Sequence, residues 1–435
     1  MKTLLKNVNL LDGTKDMKLR PNVNILVEDG KFKKITTDNI EDTDAKVYDL
    51  SGKYLAPGLI NLHIHLPASG FPKKKETDSR KLAQFVMSNP LTRIIGKMLT
   101  AGSTKTQLLS GTTTVRAVGG LGNLDSKVRD EINAGKRIGP RLIACNSAIT
   151  VKGGHMEGSV AYGADSIDEM KEFIDNTAKA GADWIKIMIT GGVLDAKKIG
   201  EPGEMKMTYE EVKACVDEAH KLGLKTCAHI ESPEGIKCAV ECGVDSIEHG
   251  SNLTPELITK CKENNTVIVL TFSPALPLIH LDLGYADRHM VVENGKAILR
   301  GMKACAKDAL ANDITIGLGT DTGCPLTTHY DMWRELEYYH HYANVSREFA
   351  LYTATLLNAK ILGLDKITGS IEEGKEADFI VCNTNPLDGF KSFQNLEMVS
   401  KGSQIFEHPQ VKKSPEAERL LDGLYDKLVS GQLDD

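Results

Sequence analysis

The chain has 435 residues, which is too long for one small domain and long enough to bury a large core. Apolar residues make up 41% of the chain and charged residues 26%, as in an ordinary globular protein, and the formal net charge is −6. This acidic balance favours neither nucleic acid nor an anionic membrane as a partner. The nine cysteines form no CxxC pair, and no signal segment or spanning apolar run is visible, so we expect a cytoplasmic protein.

Short strands are predicted at both ends of the chain. Near the start, apolar and polar residues alternate in Leu4–Leu11, Val23–Val27 and Lys31–Ile35, with Asp12-Gly13 and Asp29-Gly30 as turns between them. Near the end, Gly369–Gly374 is typical of turns, and Ala377–Cys382 and Met398–Phe406 are typical of strands. Each set is too small to bury a core alone, so we expect the two sets to pair in one small β-sandwich.

Between these ends, short apolar strands alternate with helical stretches. Tyr209–Leu222 shows the helical signals well, with Thr208 and Glu211 in capping positions and Gly223 at the end. Eight such strand–helix units over about 310 residues predict an α/β fold, a (β/α)₈ TIM barrel. The strands are expected near residues 57–64, 112–116, 141–145, 184–189, 224–229, 244–249, 266–272 and 314–320.

Four domain segments follow from this pattern. Residues 1–56 and 368–408 are expected to form the two parts of the β-sandwich, 57–367 the barrel, and 409–435 a helical tail. The stretch Asp331–Tyr342 is rich in aromatic residues, which indicates core packing, although it could also line the mouth of the barrel or a subunit contact.

Polar side chains occur where the predicted barrel strands end. In a barrel of this kind the carboxyl ends of the strands meet at one mouth, so these groups are expected to converge there. Each residue alone has an ordinary structural explanation, but together they favour a metal site. They are His63, His65, Lys186, His229, His249 and Asp321.

The sequence resembles the amidohydrolase superfamily from Leu4 to about Phe406. The motifs that carry the resemblance are Leu55–Leu66, Gly111–Arg116, Ile185–Ile187, Ala228-His229, Ser246–Gly250, Gly319–Asp321 and Gly369–Phe379. The resemblance implies two divalent metal ions, with zinc favoured, and a lysine carboxylated by carbon dioxide that bridges them. Asn61 departs from the family pattern, where an aspartate is common.

The resemblance also assigns roles to the six residues. His63 and His65 would hold the more buried ion, and His229 and His249 the more exposed one. Lys186 would be the carboxylated bridge, since a cationic lysine cannot bind a cation. Asp321 would bind the first ion and move a proton from the bridging hydroxide, which attacks the amide, to the leaving amine.

The substrate is less well defined by the sequence. Asp183–Gly192 and Gly153–His155 look most similar to the prolidase-like dipeptidase branch, which cleaves Xaa-Pro or Xaa-basic dipeptides and some N-acyl amino acids. His155 would hydrogen-bond the oxyanion or the carbonyl, unless it is only a loop histidine. Arg116 could bind a substrate carboxylate or form a structural salt bridge. Glu231 stands where relatives often have tyrosine and would favour a cationic group, unless it faces solvent.

The sequence leaves other functions open. A hydantoinase-type cyclic amidase, an imidazolonepropionase or a deaminase is the alternative, although deaminases generally need no bridging lysine. A non-catalytic scaffold is remote, because all six ligand positions are filled. We expect a small-molecule substrate and a homo-oligomer of undefined size.

Overall fold

The computed structural model describes residues 2–72 and 78–433, and it is an α/β structure. Within these residues there are eighteen strands: β1 Lys2–Leu10, β2 Arg20–Glu28, β3 Lys31–Thr36, β4 Lys46–Asp49, β5 Tyr54–Pro57, β6 Leu59–Ile64, β7 Thr112–Ala117, β8 Arg141–Ala144, β9 Ala148–Val151, β10 Ala161–Ala164, β11 Trp184–Met188, β12 Lys225–Ile230, β13 Ser246–His249, β14 Val267–Leu270, β15 Ile316–Leu318, β16 Phe379–Cys382, β17 Leu396–Lys401 and β18 Gln404–Glu407.

The same residues contain thirteen α-helices: α1 Ser79–Met87, α2 Pro90–Leu109, α3 Leu124–Asn133, α4 Ile167–Lys179, α5 Tyr209–Lys221, α6 Pro233–Cys242, α7 Pro255–Asn264, α8 Ala275–His280, α9 Arg288–Ala311, α10 Met332–Tyr342, α11 Arg347–Tyr352, α12 Asn358–Ile361 and α13 Pro415–Val429. In the part of the chain that is described, none of them combines the length and the apolar character that crossing a lipid bilayer requires.

The two ends of the chain build one sheet of eight strands. Its order is β18-β17-β16-β5-β1-β2-β3, and β4 pairs with β1. The first half of β1 pairs with β4 and its last residues pair with β5, so the sheet branches at β1. The predicted single strand Met398–Phe406 is wrong, because β17 and β18 form an antiparallel pair around a turn at Gly402 with φ of 57°. The sheet buries its own apolar cluster, to which both chain ends contribute.

The eight strands predicted for the middle of the chain are all present, as β6, β7, β8 and β11 to β15. They are parallel, but they belong to two sheets, β6-β7-β8 and β10-β9-β11-β12-β13-β14-β15. Backbone hydrogen bonds cross both gaps: Asp183 N donates to Ala144 O, and Asp321 N donates to His63 O. Strands β9 and β10 were not predicted. The strand order alone therefore does not close a barrel.

Helix α5 illustrates how local sequence fixes an element. Thr208 accepts a hydrogen bond from the backbone N–H of Glu211, and the Glu211 side chain accepts one from the backbone N–H of Thr208. This reciprocal pair satisfies two backbone groups that a helix start leaves unpaired. Gly223, with φ of 74°, follows the helix in the left-handed region. The predicted helix is confirmed, and it ends at Lys221, one residue before the predicted end at Leu222.

The aromatic residues of α10 belong to the core. Trp333, Tyr338, Tyr339 and Tyr342 are all buried, which supports core packing over a role at the site mouth. The C-terminal helix α13 packs nearby: the Tyr425 ring lies edge-on to Trp333 with centroids 5.4 Å apart. Three leucines on one face of α13 are buried as well, so this amphipathic helix covers α10 rather than extending into solvent.

Candidate active site

The predicted metal ligands lie on parallel strands or within three residues after one. His63 is in β6, Lys186 in β11, His229 in β12 and His249 in β13, while His65 follows β6 and Asp321 follows β15. The rings are close together: the centroid of His249 lies 4.9 Å from that of His63 and 4.7 Å from that of His229. The fold therefore gathers side chains separated by more than 250 residues.

The orientations of His63 and His65 are set through their Nδ1 atoms. His63 Nδ1 lies 2.7 Å from Glu248 Oε2, and His65 Nδ1 lies 2.9 Å from the carbonyl oxygen of Gly119. Both oxygens are acceptors, so each Nδ1 carries a proton and each Nε2 is directed at Asp321. These Nε2 atoms lie 3.4 and 3.1 Å from Asp321 Oδ1. A proton on either ring can join its Nε2 to the carboxylate, and a metal ion can take the place of such protons and bind the same atoms.

Asp321 is ionised and its backbone is strained. Burial raises the pKa of its carboxyl, but hydrogen bonds and charges from His63 and His65 outweigh burial and hold the pKa well below its usual value. The φ angles of Asp321 and His249 are 55° and 69°, in the left-handed region, which is uncommon for residues other than glycine even though asparagine, aspartate and histidine adopt it more often than the rest. Such conformations cost on the order of 1–3 kcal/mol each and cluster at functional sites.

His229 and His249 are neutral imidazoles. Burial, followed by the positive charges around them, lowers the pKa of both rings well below the usual value. His229 Nε2 donates to the carbonyl oxygen of Gly191 at 3.2 Å, so the lone pair of this ring is on Nδ1. His249 Nδ1 lies 2.7 Å from Thr271 Oγ1. Neutral imidazoles with one nitrogen held by the protein are the form in which histidine binds metals.

Lys186 lies among these groups. It is 1% exposed, and the strand register places it beside Cys227, two residues before His229. Its charge contributes to lowering the pKa of both His229 and His249. Among the described histidines, cysteines and carboxylates, His63, His249 and Asp321 each bring a ligand atom within 4.8 Å of the others. The donor set therefore fits a divalent ion, and Lys186 is placed next to it.

Behind His63, Glu248 and Arg116 form a fully buried ion pair. Arg116 Nη2 lies 2.7 Å from Glu248 Oε1, and the Arg116 Nε–H donates to the carbonyl oxygen of Leu62. Burial raises the pKa of Glu248, but the charges of Arg116 and His63 outweigh it and hold the pKa far below its usual value. The expectation that Arg116 binds a substrate carboxylate is not supported, because its guanidinium is 0% exposed and bound to Glu248. The salt-bridge alternative matches the structure.

His155 stacks on His229 and is held by Asp195. The two imidazole centroids are 4.2 Å apart, and His155 Nδ1 lies 2.8 Å from Asp195 Oδ1. The other oxygen of Asp195 accepts from the backbone N–H of Met156, which fixes the loop. The loop follows β9, the strand inserted after β8, so His155 belongs to the site rather than to a distant surface loop.

Glu231 does not face solvent, so the alternative of a solvent-exposed carboxylate at this position is excluded. Its side chain is 8% exposed and its Oε1 lies 4.0 Å from His229 Nε2. Burial, together with the negative charges of Asp321 and Asp195, raises the pKa of Glu231 well above its usual value. Among the described residues, its Oε2 atom has no hydrogen-bond partner. A buried carboxyl oxygen without a partner favours a ligand group that can donate to it.

The comparisons with known proteins agree with this geometry. The sequence profile of the Amidohydrolase family matches residues 54–407. The chain belongs to this family. It is a hydrolase that acts on carbon–nitrogen bonds. This amidohydrolase is 28% identical over 337 residues to the ochratoxinase of Aspergillus niger, covering 70% of the chain and 67% of the relative. It is 24% identical to the imidazolonepropionase of Picrophilus torridus, covering 91% and 94%.

Several solved structures are similar to this protein over nearly the whole length of the chain. A Bifidobacterium longum protein assigned as a prolidase superposes with a TM-score of 0.85 at 33% identity, covering 98% of this chain and 99% of the other. A Xaa-Pro dipeptidase with methionine bound in its active site superposes with a TM-score of 0.81 at 28% identity, covering 94% of this chain and all of the other. These neighbours imply a barrel together with a second domain.

Sequence reasoning missed the residues that orient the ligands. Asp195 and Thr271 gave no signal, because a loop aspartate and a threonine near a strand end are common. Glu248 did give a signal: it is a charged residue between Ile247 and His249 in a buried strand, where an unpaired charge is unfavourable. Such a residue predicts a buried partner, and here Arg116 and His63 supply two.

We expect Glu248→Gln to weaken metal binding and to destabilise the fold. The amide no longer balances Arg116, and leaving a buried charge unpaired costs about 3–5 kcal/mol. Loss of the carboxylate behind His63 is expected to lower metal affinity about 10- to 100-fold. Urea unfolding and metal titration of the apoprotein measure the two effects separately.

The double variant Arg116→Met/Glu248→Gln provides the control. It removes the unpaired cation, so much of the stability is expected to return while the metal affinity stays low. If metal affinity returns together with stability, Glu248 supports the fold only and does not position His63.

Proposed function

We propose that this amidohydrolase uses a two-metal centre to hydrolyse an amide bond of a small, dipeptide-like substrate. The observation that carries the proposal is that His63 Nε2 and His65 Nε2 lie 3.4 and 3.1 Å from the same carboxylate oxygen, Asp321 Oδ1. A metal ion satisfies all three at once, and imidazole with carboxylate ligands suits zinc best. The neutral pair His229 and His249 supports a second ion beside the first.

We also propose that the two parallel sheets are parts of one closed (β/α)₈ barrel spanning residues 57–367. The hydrogen bonds from Asp183 N to Ala144 O and from Asp321 N to His63 O support closure at both gaps. Residues 1–56 and 368–408 would form the second, all-β domain, and residues 409–435 the tail that contains α13. The ligand-bearing strand ends then point to one mouth, where enzymes of this fold carry their chemistry.

Lys186 is the proposed bridge between the two ions. A buried cation beside two sets of metal ligands is unfavourable, and a protonated amine cannot bind metal. Reaction of the neutral amine with carbon dioxide forms a carbamate and releases a proton, which turns the cation into an anionic oxygen ligand. His63 and His65 would then hold one ion and His229 and His249 the other. Asp321 would complete the first set.

Residues of the chain would carry out the proton transfer and stabilise the carbonyl oxygen during amide hydrolysis. Divalent ions in this site supply Lewis acidity, which lowers the pKa of a water molecule and polarises an amide carbonyl. The ionised Asp321 carboxylate would accept the water proton and transfer it to the nitrogen of the leaving amine. As an imidazolium, with Nδ1–H donating to Asp195, His155 would donate from its Nε2–H to the carbonyl oxygen as negative charge develops there.

Glu231 is proposed to select substrates that carry a positive charge or an amine near the metal centre. Its Oε2 is buried and has no hydrogen-bond partner among the described residues. A guanidinium or ammonium group of the substrate would satisfy this oxygen with a charge-assisted hydrogen bond. Among the neighbours, the Xaa-Pro dipeptidase supports a dipeptide, and Glu231 directs the proposal toward cationic members of that class.

The second candidate is hydrolysis of a cyclic amide or imide. It rests on the similarity to the Picrophilus torridus imidazolonepropionase, which extends over 421 aligned residues. The position of Lys186 inside the ligand cluster favours the two-metal dipeptidase over this alternative. Parallel assays with dipeptides and with cyclic amides separate the two functions.

We expect Lys186→Ala to lose at least about 10³-fold in kcat/KM, equivalent to roughly 4 kcal/mol of transition-state stabilisation. Acetate or propionate is expected to restore part of the activity, because a small carboxylate can take the place of the carbamate. Lys225→Ala, in the neighbouring strand but exposed, is the control and should retain full activity. Wild-type activity of Lys186→Ala, in the presence or absence of carboxylate, contradicts the proposed bridge.

We expect Glu231→Gln to change substrate preference more than turnover. In a library of dipeptides that places lysine, arginine, leucine or proline at each position, the preference for the cationic members should fall about 10- to 100-fold, since a hydrogen bond to a charged group contributes roughly 1.5–3 kcal/mol. Glu234→Gln, an exposed glutamate nearby, is the matched control. An equal loss for cationic and neutral substrates would rule out a role in selection.

A further inference from the structure

Helix α10 carries a buried glutamate that the proposed mechanism does not use. Glu335 is 0% exposed, and both of its carboxyl oxygens accept hydrogen bonds from the chain that follows strand β14. Oε1 accepts from the backbone N–H of Phe272 and Oε2 from the backbone N–H of Ser273, each at 2.7 Å. The Ser273 hydroxyl donates to Oε2 as well. Glu335 therefore fixes the path of the chain directly beyond β14.

The first residue of this segment holds a proposed metal ligand. Strand β14 ends at Leu270, and Thr271 comes next. Thr271 is 1% exposed, and its Oγ1 lies 2.7 Å from Nδ1 of His249. If His249 binds an ion through Nε2, its Nδ1–H donates to this hydroxyl oxygen, and the position of Thr271 then sets the direction of Nε2. Glu335 holds the peptide unit that joins Thr271 to Phe272, so it acts one residue away from the contact with His249.

Helix α10 makes a second contact with the same segment. The ring of Phe272 packs against the ring of Tyr342 with centroids 5.5 Å apart, and Phe272 is 0% exposed. The helix thus contacts both the backbone and the side chain of Phe272. The buried aromatic residues of α10 hold the helix in the core, and Glu335 uses this fixed position to hold the chain beyond β14.

A carboxyl group is an unfavourable choice if the segment only needs to be held in place. Burial raises the pKa of Glu335 to about 8 against the effect of three hydrogen bonds, and the negative charge of Asp321 adds to the rise. Glu335 is therefore within electrostatic range of the ligand cluster. A cation bound in that cluster would favour the ionised carboxylate, whose two oxygens can only accept and so match the donors around them. Carboxyl groups perturbed in this way are concentrated at functional sites.

We propose that Glu335 is a positioning residue for His249, the ligand assigned to the second ion, and that it acts through residues 271–273. The inference rests on the proposed two-metal centre. Glu335 contacts neither the ions nor the substrate. It fixes the position of Thr271, and Thr271 fixes the orientation of the imidazole.

The effect is expected to be confined to one of the two ions. His63 and His65, which are assigned to the first ion, are oriented by Glu248 and by the carbonyl oxygen of Gly119. These two groups belong to other segments than the one that Glu335 holds. Loss of the Glu335 carboxylate should therefore weaken binding of the second ion and leave the first ion bound.

Glu335→Gln tests the proposal, because the amide has nearly the same shape but its Nε2 places a donor opposite a backbone N–H. The apoprotein is titrated with zinc, and the metal content is measured by mass spectrometry. The affinity for the second ion is expected to fall about 10- to 100-fold, while that for the first changes less than about twofold. Thr271→Val should give the same loss, and the double variant should lose little more, because both residues act through one contact.

Glu337→Gln is the matched control. Glu337 lies on the same helix, is 2% exposed and also accepts from a backbone N–H, that of Phe390 at 2.6 Å, as well as from Arg347. It is expected to lose stability in urea unfolding about as much as Glu335→Gln does, but to bind both ions as the wild type does. A purely structural role of Glu335 would make the two variants alike in metal binding.

The stoichiometry of the wild-type protein separates this inference from the proposed function. A wild-type chain that binds one ion contradicts the two-metal centre and the inference together. If the wild type binds two ions and Glu335→Gln binds both with unchanged affinity, or loses both equally, only the role of Glu335 is overturned. A crystal structure of the variant in which Thr271 Oγ1 keeps its contact with His249 Nδ1 would overturn it as well.

Discussion

Two imidazole nitrogens and one carboxylate oxygen are brought together in the interior of this protein. The Nε2 atoms of His63 and His65 and the Oδ1 atom of Asp321 converge because their other polar atoms are fixed by the fold. A positive charge holds these atoms together, either as protons on the rings or as a metal ion that takes the place of those protons. The strand positions, the buried ion pair behind His63 and the strained backbone at Asp321 all serve this arrangement.

The histidines of the site are held in defined orientations by residues that lie behind or beside them. Glu248 fixes the tautomer of His63, the carbonyl of Gly119 fixes that of His65, and Asp195 holds His155 against His229. Because each of these partners comes from a different segment of the chain, the site forms only when the parallel strands are in register. The proposed role of Glu231, in the same environment, would connect the proposed metal centre to the choice of substrate.

Much of the fold and of the site could be predicted from the sequence. Apolar runs and helix caps are local signals, so all eight parallel strands were predicted, and helix α5 was predicted to within one residue. The six proposed ligand positions were visible because polar groups at the ends of apolar strands are conspicuous. The four-residue strands β9 and β10 could not be predicted, since their pairing depends on distant neighbours. Arg116 shows the same limit, because the sequence could not place Glu248 beside it.

The sequence also could not show which side of α2 faces the protein, because periodicity shows that a helix has two sides but not which one is buried. Leu91 and Ile95 are exposed, whereas Thr100 and Thr104 are buried.

The central claim is that divalent ions occupy the group of acceptors around Asp321, with Lys186 between them. Anomalous diffraction at the zinc edge, on crystals grown with zinc and bicarbonate, tests it most directly. The account predicts two peaks per chain, one in contact with His63, His65 and Asp321 and one with His229 and His249, and electron density for a carboxylate on the Lys186 amine. Density for zinc elsewhere, or a Lys186 amine without the added group and remote from both ions, would contradict it.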